Sequence, residues 1–264
     1  MSVGTVLLAA ATAIFELLFK LSPIPDIYNV NRRKDIGEMA ELPIITLIVN
    51  CNLWTWYGLA TDSMFPLFIT QVIGQLGGII FNIVYFRWSP PDKRKQLLKL
   101  YAYAFAIYCV VDLYCILGLA GALGMTKDEL GTSLGYAGVA FSTAMFVSPL
   151  GTLKRVVETK SAASIPINMS AMMALSCGLW VASGLVDSDW FVAGVNTAGV
   201  LLGCAQIVLY RMYKPGRYDG AVLPDAGKEL SVVVVSPKNG IFDTVFIESP
   251  AYKPMPSPLA GTAV

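Results

Sequence analysis

The chain has 264 residues, 55% of them hydrophobic and 14% charged, with a formal net charge of +1 and no histidine. So apolar a composition is unusual for a soluble domain and points to a membrane protein. The near-neutral charge argues against a nucleic-acid partner, and the lack of histidine removes the commonest general base and zinc ligand. Cysteines 51, 109, 115, 177 and 204 all fall in apolar stretches without a CxxC spacing. They are expected to be small buried hydrophobes, forming neither a disulfide nor a metal site. No Gly-rich phosphate loop appears, so no nucleotide or other cofactor is expected.

About 20 apolar residues cross a bilayer, and seven such spans can be drawn, at 3–29, 40–61, 65–88, 99–123, 131–155, 165–186 and 189–212. The first lacks a basic leader and a small-residue cleavage site, so it is expected to be retained. Basic residues gather around the connections after spans one, three, five and seven: Arg32, Arg33 and Lys34; Arg87, Lys93, Arg94, Lys95 and Lys99; Lys154, Arg155 and Lys160; Arg211, Lys214 and Arg217. The alternate connections hold Lys127 among Asp62, Asp128, Glu129, Asp187 and Asp189. This asymmetry predicts an N-terminus outside and a cytosolic C-terminus. Beyond residue 213 the chain turns polar and proline-punctuated, and 214–264 is expected to be a disordered cytosolic tail.

The spans contain an internal repeat of about sixty residues. Ser148-Pro149, Lys154-Arg155, Pro166, Trp180 and then Asn196, Gly199, Gly203 and Tyr210 echo Ser22-Pro23, Arg32-Arg33, Pro43, Trp54 and then Gln71, Gly74, Gly78 and Tyr85. The closing residues stand at offsets 0, 3, 7 and 14 in both copies. Two Gly four apart make a groove on one helix face, so the third span of each copy should pack closely on a neighbour. Seven spans with a repeat of three leave the fourth over. It inverts the chain once, so the two copies enter the membrane in the same sense. The expected fold is an all-α membrane protein with seven transmembrane helices, arranged as two parallel three-helix repeats joined by an inverting fourth helix. Its expected divisions are 1–90, a linker helix at 91–128, a second repeat at 129–213, and the tail.

These residues resemble the SWEET family of sugar transporters within the PQ-loop superfamily. The likeness is carried by the Ser-Pro and basic-turn pattern from Pro149-Leu150 to Thr159-Lys160-Ser161, by Asn50-Cys51 with Trp56-Tyr57-Gly58, and by Asn196 and Gly199 with Gln206 and Leu209-Tyr210. It covers about residues 4–213, and parallel repeats are a known trait of such carriers. The resemblance implies a bidirectional uniporter that moves sugar down its gradient by alternating access, in a membrane and as a possible homo-oligomer. The plasma membrane is expected over an internal one. Another PQ-loop carrier, for amino acids or another small polar solute, is the alternative.

If the repeats face each other, equivalent positions line one cavity, where polar groups border water and substrate rather than lipid. The pairs are Trp54 with Trp180, Gln71 with Asn196, Asn50 with Ser176, Phe19 with Met145, and Glu16 with Ser142. Indoles suit the flat C–H faces of a sugar, and the amides can both donate to and accept from its hydroxyls. Gln71 departs from the family's usual Asn. Met145 matches a position where monosaccharide carriers tend to have Met and sucrose carriers a smaller Val, which implies hexose as substrate. Tyr57 and Asp189 match positions that in relatives bond to close the external gate, although Asp189 could equally be a solvated loop acid. Pro23, Pro43, Pro149 and Pro166 match the family's cytosolic hinge, with a plain helix boundary as the alternative at Pro43 and Pro166. Glu16 has two readings. It pairs with Lys20 four residues on, or it bonds the sugar and makes transport depend on pH.

A receptor is disfavoured by the repeat, and a retinal protein by the lack of Lys in the last span. An enzyme is disfavoured by the missing His and by the isolation of Glu16 and Asp112 in their spans.

Overall fold

A computed structural model of the chain describes residues 2–37, 39–162, 165 and 167–213. Pro166 and the tail at 214–264 lie outside the described residues. Nine helices occur among those described: α1 (Val3–Lys20), α2 (Ile24–Arg33), α3 (Leu42–Ala60), α4 (Ile69–Trp88), α5 (Pro91–Leu119), α6 (Lys127–Met145), α7 (Val147–Thr159), α8 (Ile167–Val186) and α9 (Trp190–Tyr213). A tight irregular turn, Met64–Phe68, leads into α4. Together they make seven segments long and apolar enough to cross a membrane.

Local chemistry accounts for the helix ends. Pro43 and Pro91 sit in first turns, where a missing N–H costs nothing. Thr126 opens α6 with a capping box, its hydroxyl accepting the Glu129 N–H at 3.2 Å while the Glu129 carboxylate accepts the Thr126 N–H at 2.8 Å. Lys34 and Lys160, at equivalent positions, close α2 and α7 in the left-handed conformation, and so do Asp62 and Ser188 in the turns before each third span.

The first span of each copy is broken. The chain turns at Leu21–Pro23 between α1 and α2, and at Phe146 between α6 and α7. The two copies also pack alike. α4 touches α1, α2 and α3, and α9 touches α6, α7 and α8, so each third span meets both of its companions. The glycines make this possible. A Cβ on Gly74 would lie 3.1 Å from Cys51 Sγ and one on Gly78 2.9 Å from Ile48, while on α9 a Cβ at Gly199 would lie 2.6 Å from Cys177 Sγ and one at Gly203 2.9 Å from Ala174.

Between copies the contacts are reciprocal, α1 against α8 and α3 against α6. First span meets second span both times, as a two-fold axis along the membrane normal requires. The inverting helix α5 packs on α3 and α6 and starts earlier than the apolar pattern suggests. Lys93–Lys95 mask the apolar signal there, yet Leu97 is fully buried with Ile44, Phe81 and Tyr85.

Pairs of connections are tied at each end. Lys93 bridges Glu41 at 3.0 Å, and Lys127 bridges Asp62 at the other end. Burial alone would raise the Glu41 carboxyl, but its own backbone N–H and Lys93 hold it below the usual range. The cysteines are less uniform than expected. Cys51 and Cys115 are buried, whereas Cys109 and Cys204 are exposed on the outer faces of their helices. In a membrane protein an apolar stretch faces lipid as readily as core, so apolar surroundings in sequence do not imply burial.

Candidate functional site

The two α1–α8 and α3–α6 seams carry matching polar bonds. On one, the Ser142 hydroxyl donates to Asn50 Oδ1 at 2.9 Å and accepts from the Trp54 indole N–H at 3.1 Å. On the other, the Ser176 hydroxyl donates to Glu16 Oε2 at 2.7 Å. Each bond is the repeat equivalent of its counterpart, with first-span position 16 or 142 against second-span position 176 or 50. Thr12 and Ser183 add a further α1–α8 bond at 2.9 Å. Trp54 fits against α6 because Gly138 leaves room: a Cβ there would stand 3.1 Å from the indole.

Trp54 and Trp180 belong to one apolar cluster with Tyr57, Leu67, Leu134, Val192 and Val195, and each indole is only 5% exposed. In this conformation they are packed side chains rather than an open platform. Met145 ends α6 and Phe19 stands next to the end of α1, both half-buried beside the breaks in the first spans.

The copies differ around the third spans. Glu16 forms the expected ion pair with Lys20, at 3.1 Å. Lys20 also donates to Gln71 Oε1 and, at 3.5 Å, to Cys51 Sγ. Its stem runs across Gly74, where a Cβ would come within 2.6 Å of Lys20 Cδ. The equivalent place in the second copy belongs to Phe146, 3.6 Å from a Cβ built on Gly199. Asn196 donates instead to Val192 O of its own helix at 2.8 Å.

At the end away from the basic connections, the Tyr57 hydroxyl donates to Asp189 Oδ1 at 2.9 Å. Asp189 is therefore not a free loop acid. The same oxygen accepts the Val192 N–H at 3.0 Å and caps α9. Tyr57 is edge-on to Trp54 and Phe191, at 5.2 and 6.2 Å between ring centres. At the basic end Pro23 occupies the α1–α2 break, Pro149 lies just past the α6–α7 break, and Pro43 stands in the first turn of α3 as a boundary proline does.

Sequence reasoning set Asp112 aside as a lone acid. It accepts from Asn52 at 2.9 Å and from the Trp56 indole at 2.6 Å, fastening α5 to α3. Tyr108 on α5 accepts from Gln75 on α4 at 2.5 Å, and Tyr114 bonds Ser133 of α6 at 2.8 Å. A usable signal existed, since Asn52 and Trp56 are one turn apart on a face other than that of Asn50 and Trp54.

Two parallel three-helix repeats around an inverting helix, joined across their seams by bonded polar side chains, define a membrane carrier of the tandem-repeat class. A family model described as a sugar efflux transporter for intercellular exchange matches residues 6–93 and again 132–217. The bidirectional sugar transporter SWEET12 of Oryza sativa subsp. japonica is 32% identical over 212 residues, which cover 79% of this chain and 68% of that protein. SWEET7 of Arabidopsis thaliana is 31% identical over 196 residues, 73% of this chain and 74% of that one. A 3.7 Å structure of a eukaryotic SWEET transporter superposes with a TM-score of 0.67 at 22% identity, over 79% of this chain and 96% of that one, a likeness of fold. The chain belongs to the SWEET family.

Proposed function

We propose that this chain is a facilitative, bidirectional sugar uniporter that presents one central site to the two sides of the membrane in turn, preferring hexose to sucrose. The observation that carries the reading is the reciprocal polar bonding of Glu16–Ser176 and Ser142–Asn50 across the two seams. Hydroxyl, amide and carboxyl groups set at equivalent depths in both copies are what a polyhydroxylated solute needs when it leaves water. Trp54, Trp180, Gln71, Asn196, Phe19 and Met145 complete the site, with hexose preference resting on Met145. Tyr57 and Asp189 close the outer end, and Pro23, Pro43, Pro149 and Pro166 serve the cytosolic hinge. The repeats run over 1–90 and 129–213 about the linker at 91–128. The N-terminus is outside, the basic end and tail are cytosolic, the site of action is the plasma membrane, and the carrier works as a homo-oligomer.

The test is uptake of labelled glucose against labelled amino acids by the full chain in one liposome preparation. Glucose should equilibrate from either side without ATP or an ion gradient. Equilibration of amino acids with exclusion of glucose would assign the chain to the other class of PQ-loop carrier.

A further inference from the structure

Lys20 is buried, at 6% exposed, and its three N–H groups are all spent. They go to Glu16, Gln71 and Cys51, so Lys20 itself has nothing left for a substrate. What it does is set Gln71. A lysine can only donate, so the atom of Gln71 it meets is the carbonyl oxygen, and the amide nitrogen points elsewhere. That nitrogen donates to no described residue. Gln71 as a whole is only 4% exposed.

Asn196, the repeat equivalent, is set differently. Its partner is a backbone carbonyl, which can only accept, so one of the two Nδ2 hydrogens is used, and Oδ1 and the second N–H remain. The cause of the difference is visible one helix away. Lys20 lies over Gly74 in the first copy, where Phe146 takes the matching place by Gly199 in the second. The pair of amides that symmetry predicts to be alike is therefore unlike: Gln71 has its oxygen engaged by a cation, while Asn196 has one N–H engaged by its own helix and keeps its oxygen and the other N–H.

We propose that Lys20 is a positioning residue that holds the Gln71 N–H groups toward the substrate, so that the sugar hydroxyl at Gln71 must accept, whereas Asn196 keeps both a carbonyl and an N–H and can serve a hydroxyl in either sense. The inference rests on the sugar-carrier reading above. It assigns Lys20 a part in specificity that its saturated hydrogen bonds would otherwise hide, and gives Glu16 the work of keeping that cation neutralised.

The experiment uses the full chain in liposomes, with labelled glucose competed by glucose analogues in which each hydroxyl in turn is replaced by hydrogen or by fluorine. Fluorine accepts a hydrogen bond and cannot donate one. For the wild type, one ring position should favour the fluoro over the deoxy analogue by about tenfold, the size of a single hydrogen bond. At the position served by Asn196, which can both donate and accept, the gap should be smaller. In the charge-balanced variant Glu16→Gln/Lys20→Met the amide of Gln71 is free to turn. The first gap should then close to within about twofold, while the second position stays as it was.

Gln71→Asn provides the same reading without touching the ion pair. The shorter side chain retreats from Lys20 to its own helix backbone, as Asn196 does, and the fluoro advantage should vanish. If the double variant does not assemble, Gln71→Asn decides alone. A wild type that transports glucose without any fluoro-over-deoxy gap overturns the inference, and so does a gap that persists in Gln71→Asn or in a transporting double variant. A wild type that carries no glucose at all instead sinks the sugar reading beneath it.

Discussion

Tyr57→Phe removes one oxygen from the outer end and little else. The ring keeps its edge-on neighbours Trp54 and Phe191, at 5.2 and 6.2 Å, and Asp189 keeps the Val192 N–H at 3.0 Å. Only the 2.9 Å bond to Asp189 is lost. A hydrogen bond to a charged group is worth about 1.5–3 kcal/mol. Asp189 is half-buried, so water can partly replace the hydroxyl and the low end applies. If that bond holds the outer end shut, its loss shifts the balance between a form closed at that end and one open there by about tenfold, for about 1.5 kcal/mol. Apparent affinity from one side scales with the fraction of molecules open to it. Half-saturation for sugar entering at the Tyr57 end should therefore fall by up to about tenfold, levelling off as the open fraction approaches one. Half-saturation from the basic end should rise far less, if the form closed at the outer end begins as the majority. The assay is sided uptake in liposomes sorted by protein orientation. Equal half-saturation in wild type and variant from both sides, with the variant folded, would refute the claim that this bond holds the outer end shut.

Trp180→Ala should reduce flux at least tenfold in protein that still reaches the membrane, since it removes a large buried member of the cluster; flux near wild type would remove Trp180 from the site. Met145→Val, at the end of α6, should move competition from hexose toward sucrose, and a wild type that already prefers sucrose would undo that reading. Glu16→Gln leaves Lys20 charged and without its counter-ion at a cost of about 3 kcal/mol or more. The yield of folded protein and its melting temperature in detergent should drop, with the pH profile of the remaining flux unchanged. Intact yield together with loss of a wild-type pH dependence would make Glu16 a titrating substrate ligand instead.

Much of this protein is legible in one dimension. Seven apolar stretches, the charge bias of their connections, and the matched Trp54 and Trp180, Gly74 and Gly199, and Gly78 and Gly203 all follow from local composition and spacing. The bilayer makes span length and loop charge local quantities, and a duplicated chain repeats its own pattern. The Glu16–Lys20 pair was legible for the same reason, because four residues on one helix fix which side chains can meet. What lay beyond the sequence depends on which face of one helix lies across from which face of another. Asp112 looked solitary because Asn52 and Trp56, its partners, are on a different span. The cysteines looked alike because a lipid-facing and a core-facing position have the same apolar neighbours in sequence. Symmetry predicted that Gln71 and Asn196 would be equivalent, and only the packed structure, with Lys20 laid over Gly74 and Phe146 by Gly199, decided that one amide is held by a cation and the other by its own helix.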